Sequence, residues 1–110
     1  MELTEAKKSG AVVLGVNGRV DATNAGVLEQ RVLGLIDAGE KRLVIDCAEL
    51  QYISSAGLRV LLVAAKRLST GGQLALAALN HQIRDVFDIA GFSSIFQIYP
   101  TQADAVAALQ

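Results

Sequence analysis

Apolar and polar positions change period several times along the chain, and each change marks an element. Ala11 to Val16 (AVVLGV) is a β-rich run between Gly10 and Gly18 and reads as a strand. Glu2 to Glu5 is a weaker partner for it, with Ser9-Gly10 between them as a hairpin-type turn signal. A polar connection, Gly18 to Asn24, follows. From about Asn24 to Ala38, Leu28, Val32, Leu35 and Ile36 recur at helical spacing and make one apolar face, and Gly39 suits the helix end. Leu43-Val44-Ile45-Asp46-Cys47 is short, apolar and β-branched, as in a strand covered on both faces. After a polar segment, Ser54 to Leu68 reads as a second helix with Leu58, Leu61, Leu62, Ala65 and Leu68 on its inner face, closed by Gly71-Gly72. Gln73 to Leu79 is a further strand. His81 to Ala90 is a short helix facing inward with Ile83, Val86, Phe87 and Ala90, stopped by Gly91. Ile95 to Tyr99 is a last strand, Pro100 breaks the chain, and Thr101 caps a final helix to about Leu109, with Asp104 at its third position.

The order β-β-α-β-α-β-α-β-α predicts an α/β domain with a parallel or mixed sheet. Length fits one domain over residues 1–110. With 52% hydrophobic and 19% charged residues the chain is not disordered. A formal net charge of -1 and isolated basic pairs argue against a nucleic-acid binder. The single cysteine, Cys47, can form neither an internal disulfide nor a thiolate metal site, and reads as a small buried hydrophobe. The N-terminus MELTEAKKSG lacks a signal-peptide core, and no apolar run approaches the ~20 residues needed to span a bilayer. A soluble, cytoplasmic protein is expected.

The most specific stretch is Asp46 to Leu58, where a buried strand ends and two serines open an apolar helix. A helix N-terminus carries unpaired N–H groups and partial positive charge, so a phosphate there is stabilised. A phosphoserine adds about -1.5 to -2 charges. Small neighbours, Ala56 and Gly57, leave a hydroxyl approachable. Serine is also a favoured helix N-cap, worth ~1 kcal/mol, and one serine can cap while its neighbour stays free.

Tyr52-Ile53-Ser54-Ser55-Ala56-Gly57-Leu58-Arg59-Val60-Leu61 resembles the signature of the STAS domain, in particular its stand-alone anti-sigma-factor antagonists. Gly18-Arg19-Val20-Asp21 resembles the segment preceding the first helix of that family. Leu43 to Asp46, with Leu50, resembles its central strand and turn, and Val86 to Phe92 its late helix–Gly–apolar element. The resemblance implies a mixed β-sheet of about four or five strands with about four helices packed mainly on one face. It further implies a non-enzymatic regulator in a partner-switching pathway; a monomer is expected for the free protein, with the oligomeric state left open by the sequence. Its partners would be an anti-sigma factor that is also a serine-protein kinase using ATP, and a PP2C-type phosphatase, with no direct nucleic acid and no membrane. The unmodified form would bind and sequester the kinase, and phosphorylation would release it.

Setting Gly57 on the family glycine puts Ser55 on the phosphoacceptor, with Ser54 the alternative. Ser54 falls where many members carry aspartate, and Ala56 where they carry serine or threonine. Partner contacts are expected from Asp21, Asn24, Ser54, Ser55, Ala56, Gly57 and Arg59. Asp21 and Asn24 have a second reading, a turn-closing aspartate and a helix cap, and Arg59 that of a solvated surface arginine. Asp46 reads as a turn-forming aspartate and His81 as a surface residue. A second function of the same fold is a constitutive scaffold or assembly module that is never phosphorylated.

Enzyme classes find no support. No Gly-x-Ser-x-Gly elbow, P-loop or Gly-x-Gly-x-x-Gly fingerprint is present, and one histidine has no evident catalytic partners. No cofactor and no metal are expected. A phosphoaspartate receiver would want an acidic pair after its first strand, and none follows Ala11–Val16.

Overall fold

Ser9 and Gly10 both have positive φ, 51° and 84°, the backbone a two-residue hairpin loop requires. They join β1 (Glu2–Lys8) to β2 (Ala11–Val20) in antiparallel register from Lys8↔Ala11 to Glu2↔Asn17. The computed structural model describes residues 1–110. Beyond the hairpin come α1 (Ala25–Asp37), β3 (Arg42–Asp46), β4 (Leu50–Ile53), α2 (Ser55–Arg67), β5 (Gln73–Ala77), α3 (His81–Ile89), β6 (Gln97–Tyr99) and α4 (Gln102–Ala108). The sheet runs β1-β2-β3-β5-β6, and β4 lies beside the far end of β2. Every pairing except the first is parallel.

Period-two alternation sorts the strand residues between two cores. Val12, Leu14, Leu43, Ile45 and Leu76 face the larger one, with Leu28 and Val32 of α1, Leu58, Val60 and Leu61 of α2, and Ile83 and Phe87 of α3. Val13, Val44, Ala75 and Ala77 face the smaller one, closed by Ala105 and Val106 of α4 and by Leu109 at its end. Three helices therefore share one face and α4 alone covers the other, which is why β3 is apolar on both sides. Phe87, Phe92 and Phe96 pack edge-to-face, with centroids 5.7 to 6.5 Å apart.

The expected elements are present, with corrected bounds. β1 continues to Lys8, and β2 runs through Gly18-Arg19-Val20, which read as a loop. Gly18, at φ 92°, marks a register shift where β2 leaves its earlier neighbours for β4. β4 is an additional strand that makes the sheet six-stranded, missed because only Leu50 and Ile53 of its four residues are buried. In α2, Val60 and Ala64 are buried whereas Leu62 and Ala65 are only half-buried. β5 stops at Ala77, before Ala78 at φ 61°. β6 begins two residues later than expected, leaving Ile95 exposed, and Ala90 is the exposed C-cap of α3. Thr101 caps α4 as expected, its Oγ1 accepting from the Asp104 N–H at 3.1 Å. Cys47 is fully buried, and burial, aided by the Asp46 charge, pushes its thiol up to about 12.

Asn80 ties α3 to β4. Its Oδ1 accepts from the Ile83 N–H at 2.9 Å as the helix cap, and its Nδ2 donates to the Leu50 carbonyl at 3.0 Å. Both bonds are lost in Asn80→Ala. We expect that variant to lose about 1–2 kcal/mol of stability in urea unfolding, more than a cap alone in a typical helix.

Candidate phosphorylation and partner-binding site

The site is assembled where two parallel strands end together. Val20 of β2 lies opposite Ile53 of β4, and the Ser54 N–H donates to the Val20 carbonyl at 2.9 Å. The Asp21 loop and the start of α2 thus leave the sheet side by side. Gly57 sets how near the helix comes. A Cβ there would lie 2.7 Å from Cγ1 of both Ile53 and Val20, closer than carbon atoms pack. Gly57 is itself buried, so its expected place on the partner surface is corrected. It shapes the surface from beneath.

The two serines have different duties. Ser54 is extended, at φ -85° and ψ 173°, and its hydroxyl accepts from the Gly57 N–H at 3.4 Å, the long end of a capping bond. Its carbonyl accepts from the Leu58 N–H at 2.9 Å. Ser54 is half-buried. Ser55, the first helical residue, is exposed and is not needed for the cap. Ala56 is half-buried and Arg59 exposed. Ala56 and Arg59 line a shallow notch with Val60 and, from α1, Ala25, Gly26 and Glu29.

Asp21 closes a turn. Its Oδ1 accepts from the Thr23 hydroxyl at 2.5 Å and from the Thr23 N–H at 2.9 Å. The Thr23 hydroxyl, then the Thr23 N–H, holds the Asp21 carboxyl below its ordinary value of 3.8. Asn24 occupies the N-cap position of α1 but makes no side-chain capping bond, so the capping reading is corrected. It folds back instead: Oδ1 accepts from the Asp21 N–H at 2.9 Å and Nδ2 donates to the Arg19 carbonyl at 2.9 Å. Asn24 therefore fixes the loop beside Ser54. Asp46 is elsewhere, a turn residue as expected, accepting from the Ala48 N–H at 3.0 Å and from Gln102 Nε2 at 2.7 Å. His81 is an exposed residue at the start of α3, 3.6 Å from Asp85.

One contact at this end of the sheet was not foreseen. Arg19 and Tyr52 are cross-strand partners in β2 and β4, and the Arg19 guanidinium lies 4.3 Å from the Tyr52 ring centroid, with Tyr52 40% exposed. Nothing in the local pattern could signal the pair, because it exists only once β4 joins β2.

This architecture has relatives. The family model of the STAS domain matches residues 3–105. The chain belongs to the STAS domain family. BtrV of Bordetella bronchiseptica, named as an anti-sigma factor antagonist, is 42% identical over 111 residues, covering 100% of this chain and 96% of its own. The crystal structure of an anti-sigma factor antagonist from Mycobacterium paratuberculosis is similar at a TM-score of 0.92 and 26% identity, covering 98% of this chain and 92% of that one. The Bacillus cell fate determinant SpoIIAA, in its phosphorylated form, shares the fold at a TM-score of 0.77 and 17% identity, covering 99% of this chain and 100% of that one. No helix of this STAS domain is long and apolar enough to cross a membrane.

Three outcomes follow for the STAS domain. In urea unfolding, Ser54→Ala should lose about 1 kcal/mol with the cap, while Ser55→Ala stays within about 0.5 kcal/mol of the parent. Because the Asp21 carboxyl is depressed in the folded state, its contribution to stability is present above 3.8 and is lost as pH falls through its lower folded value. Thr23→Val removes the hydroxyl donor, and the Asp21 titration followed by NMR should move up toward 3.8.

Proposed function

We propose that this STAS domain is an anti-sigma factor antagonist, a regulator rather than an enzyme, switched by phosphorylation of Ser55. The observation that carries the reading is the division of labour between the serines: Ser54 caps α2, and Ser55 stands exposed beside it. The unmodified protein binds and sequesters an anti-sigma factor that is also a serine-protein kinase. In the kinase, Ser55 Oγ attacks the γ-phosphorus of ATP. A bond from Oγ to phosphorus forms, the bond to the bridging oxygen breaks, ADP leaves, and the hydroxyl proton passes to a base of the kinase. The cofactor chemistry belongs to the kinase. A PP2C-type phosphatase hydrolyses the ester and restores binding, all in the cytoplasm.

Ser54, Ser55, Ala56 and Arg59 are the surface that meets the partner, with Asp21 and Asn24 forming its rim. A dianion at Ser55 placed in that interface loses hydration without a built-in countercharge from the partner, which costs several kcal/mol. Local electrostatic exclusion is enough to release the complex without a change of fold. A Bordetella protein named as an antagonist, similar along its length, and a Bacillus protein of the same fold in a phosphorylated form both support this reading.

The test is intact-mass spectrometry after incubation with ATP and source-cell lysate, followed by calorimetry against the isolated kinase. Wild type should gain one phosphoryl group that Ser55→Ala does not. Ser55→Ala should bind the kinase as unmodified wild type does, and Ser55→Asp at least tenfold more weakly, a loss of about 1.4 kcal/mol. Equal affinities for all three forms would exclude the switch, and a phosphoryl group retained in Ser55→Ala would move the acceptor.

A further inference from the structure

Arg59 stands four residues after Ser55 on α2, and both are exposed. Residues at this spacing lie one above the other on a helix face, about 5–6 Å apart at Cβ. Helical side chains also lean toward the N-terminus, so a long residue at Arg59 covers the turn that contains Ser55. An acidic group four residues before a basic one is the favourable order for such a pair. Arg59 takes part in no ion pair of the folded chain, unlike Arg31, Arg67 and Arg84. Glu29 of α1 lines the same notch and is likewise in no ion pair. The unmodified protein thus holds an uncommitted guanidinium one turn from the phosphoacceptor.

We infer that Arg59 is the intrachain partner of phosphorylated Ser55: the new phosphate draws the guanidinium into an ion pair along the first turns of α2. The inference rests on the reading of Ser55 as phosphoacceptor and adds what the modification does within the chain. Before phosphorylation, Arg59 is presented at the surface, free to meet a carboxylate of the partner protein. Afterwards it is engaged by the phosphate, so one modification both adds a dianion and withdraws a cation from the same surface. Arg59 is then a positioning residue for the phosphate. A guanidinium suits this role because its planar fork can donate two parallel bonds to phosphate oxygens.

The charged groups around the phosphate are few. The Asp21 carboxylate belongs to the neighbouring loop, Glu29 of α1 lines the same notch as Arg59, and Arg19 lies against Tyr52 on the adjoining strands. Glu29 competes with the phosphate for Arg59, but with a single charge against nearly two at neutral pH. The α2 N-terminus favours the phosphate in every variant and therefore cancels in a comparison at Arg59.

The test uses the full chain with phosphoserine installed at position 55 during translation, so that no kinase is needed. Phosphorus NMR titration reads the second ionisation of the phosphoserine in the parent, in Arg59→Gln and in Arg59→Lys. Arg59→Gln should raise that pKa by about 0.3 unit or more. Arg59→Lys should recover part of the difference, and added salt should shrink it. The unmodified Arg59→Gln protein should unfold at the same urea concentration as the parent, since the side chain is exposed. An unchanged second pKa in Arg59→Gln would overturn the inference, as would a shift that Arg59→Lys fails to reverse at all. Failure of cell lysates to phosphorylate Ser55 would instead remove the functional reading while leaving this measurement intact.

Discussion

The close approach of α2 to the ends of β2 and β4 underlies the rest of the site. Gly57 permits it, because even one methyl group there would meet Val20 and Ile53 at 2.7 Å. Those two residues are buried and directly opposite one another in the sheet. They cannot retreat without disturbing the larger core. Through this contact the first turn of α2 is held against the sheet, and the backbone bond from Ser54 to Val20 fixes its direction. The Asp21 loop, held internally by Thr23 and Asn24, is positioned by the same two strand ends. On a seat held this way, the phosphorylation proposed for Ser55 would alter what the surface presents without a change of fold.

Electrostatically the surface is poised close to neutral. Arg19 and Arg59 supply positive charge, and Asp21 and Glu29 negative charge. The Asp21 carboxylate is held ionised by Thr23. Against so small a field, a phosphoserine would be the dominant charge at that end of the molecule. Cys47 is buried and its thiol remains protonated, and α4 seals the opposite face of the sheet over small alanines. No group of three or more His, Cys, Asp and Glu side chains is placed to hold a metal ion.

Much of this was legible in the residues themselves. The inner face of α1 at Leu28 and Val32, the apolar run of β3, the Ser-Gly hairpin and the Thr101 cap all depend on neighbours within a turn or a strand length. Periodicity and local chemistry report such neighbours directly. The serine pair at a helix start was legible for the same reason, and the motif around it pointed to the STAS family that the matched residues 3–105 confirm. β4 was not legible, because Gln51 and Tyr52 are exposed and its two buried residues do not alternate. Gly18-Arg19-Val20 looked like a loop because its strand partner is that same hidden β4.

The sequence by itself determined the order of every element except β4, the α/β class and the serine pair that opens α2, because these follow from burial periods and capping chemistry within each segment. Only the tertiary structure decided which serine caps, that Gly57 lies beneath the surface rather than on it, that Asn24 folds back on its own loop, and that Arg19 meets Tyr52. These outcomes depend on where β2 and β4 end relative to one another. That register is set by packing between residues some thirty positions apart, Val20 and Ile53 among them, and no local pattern of hydrophobic and polar positions encodes it.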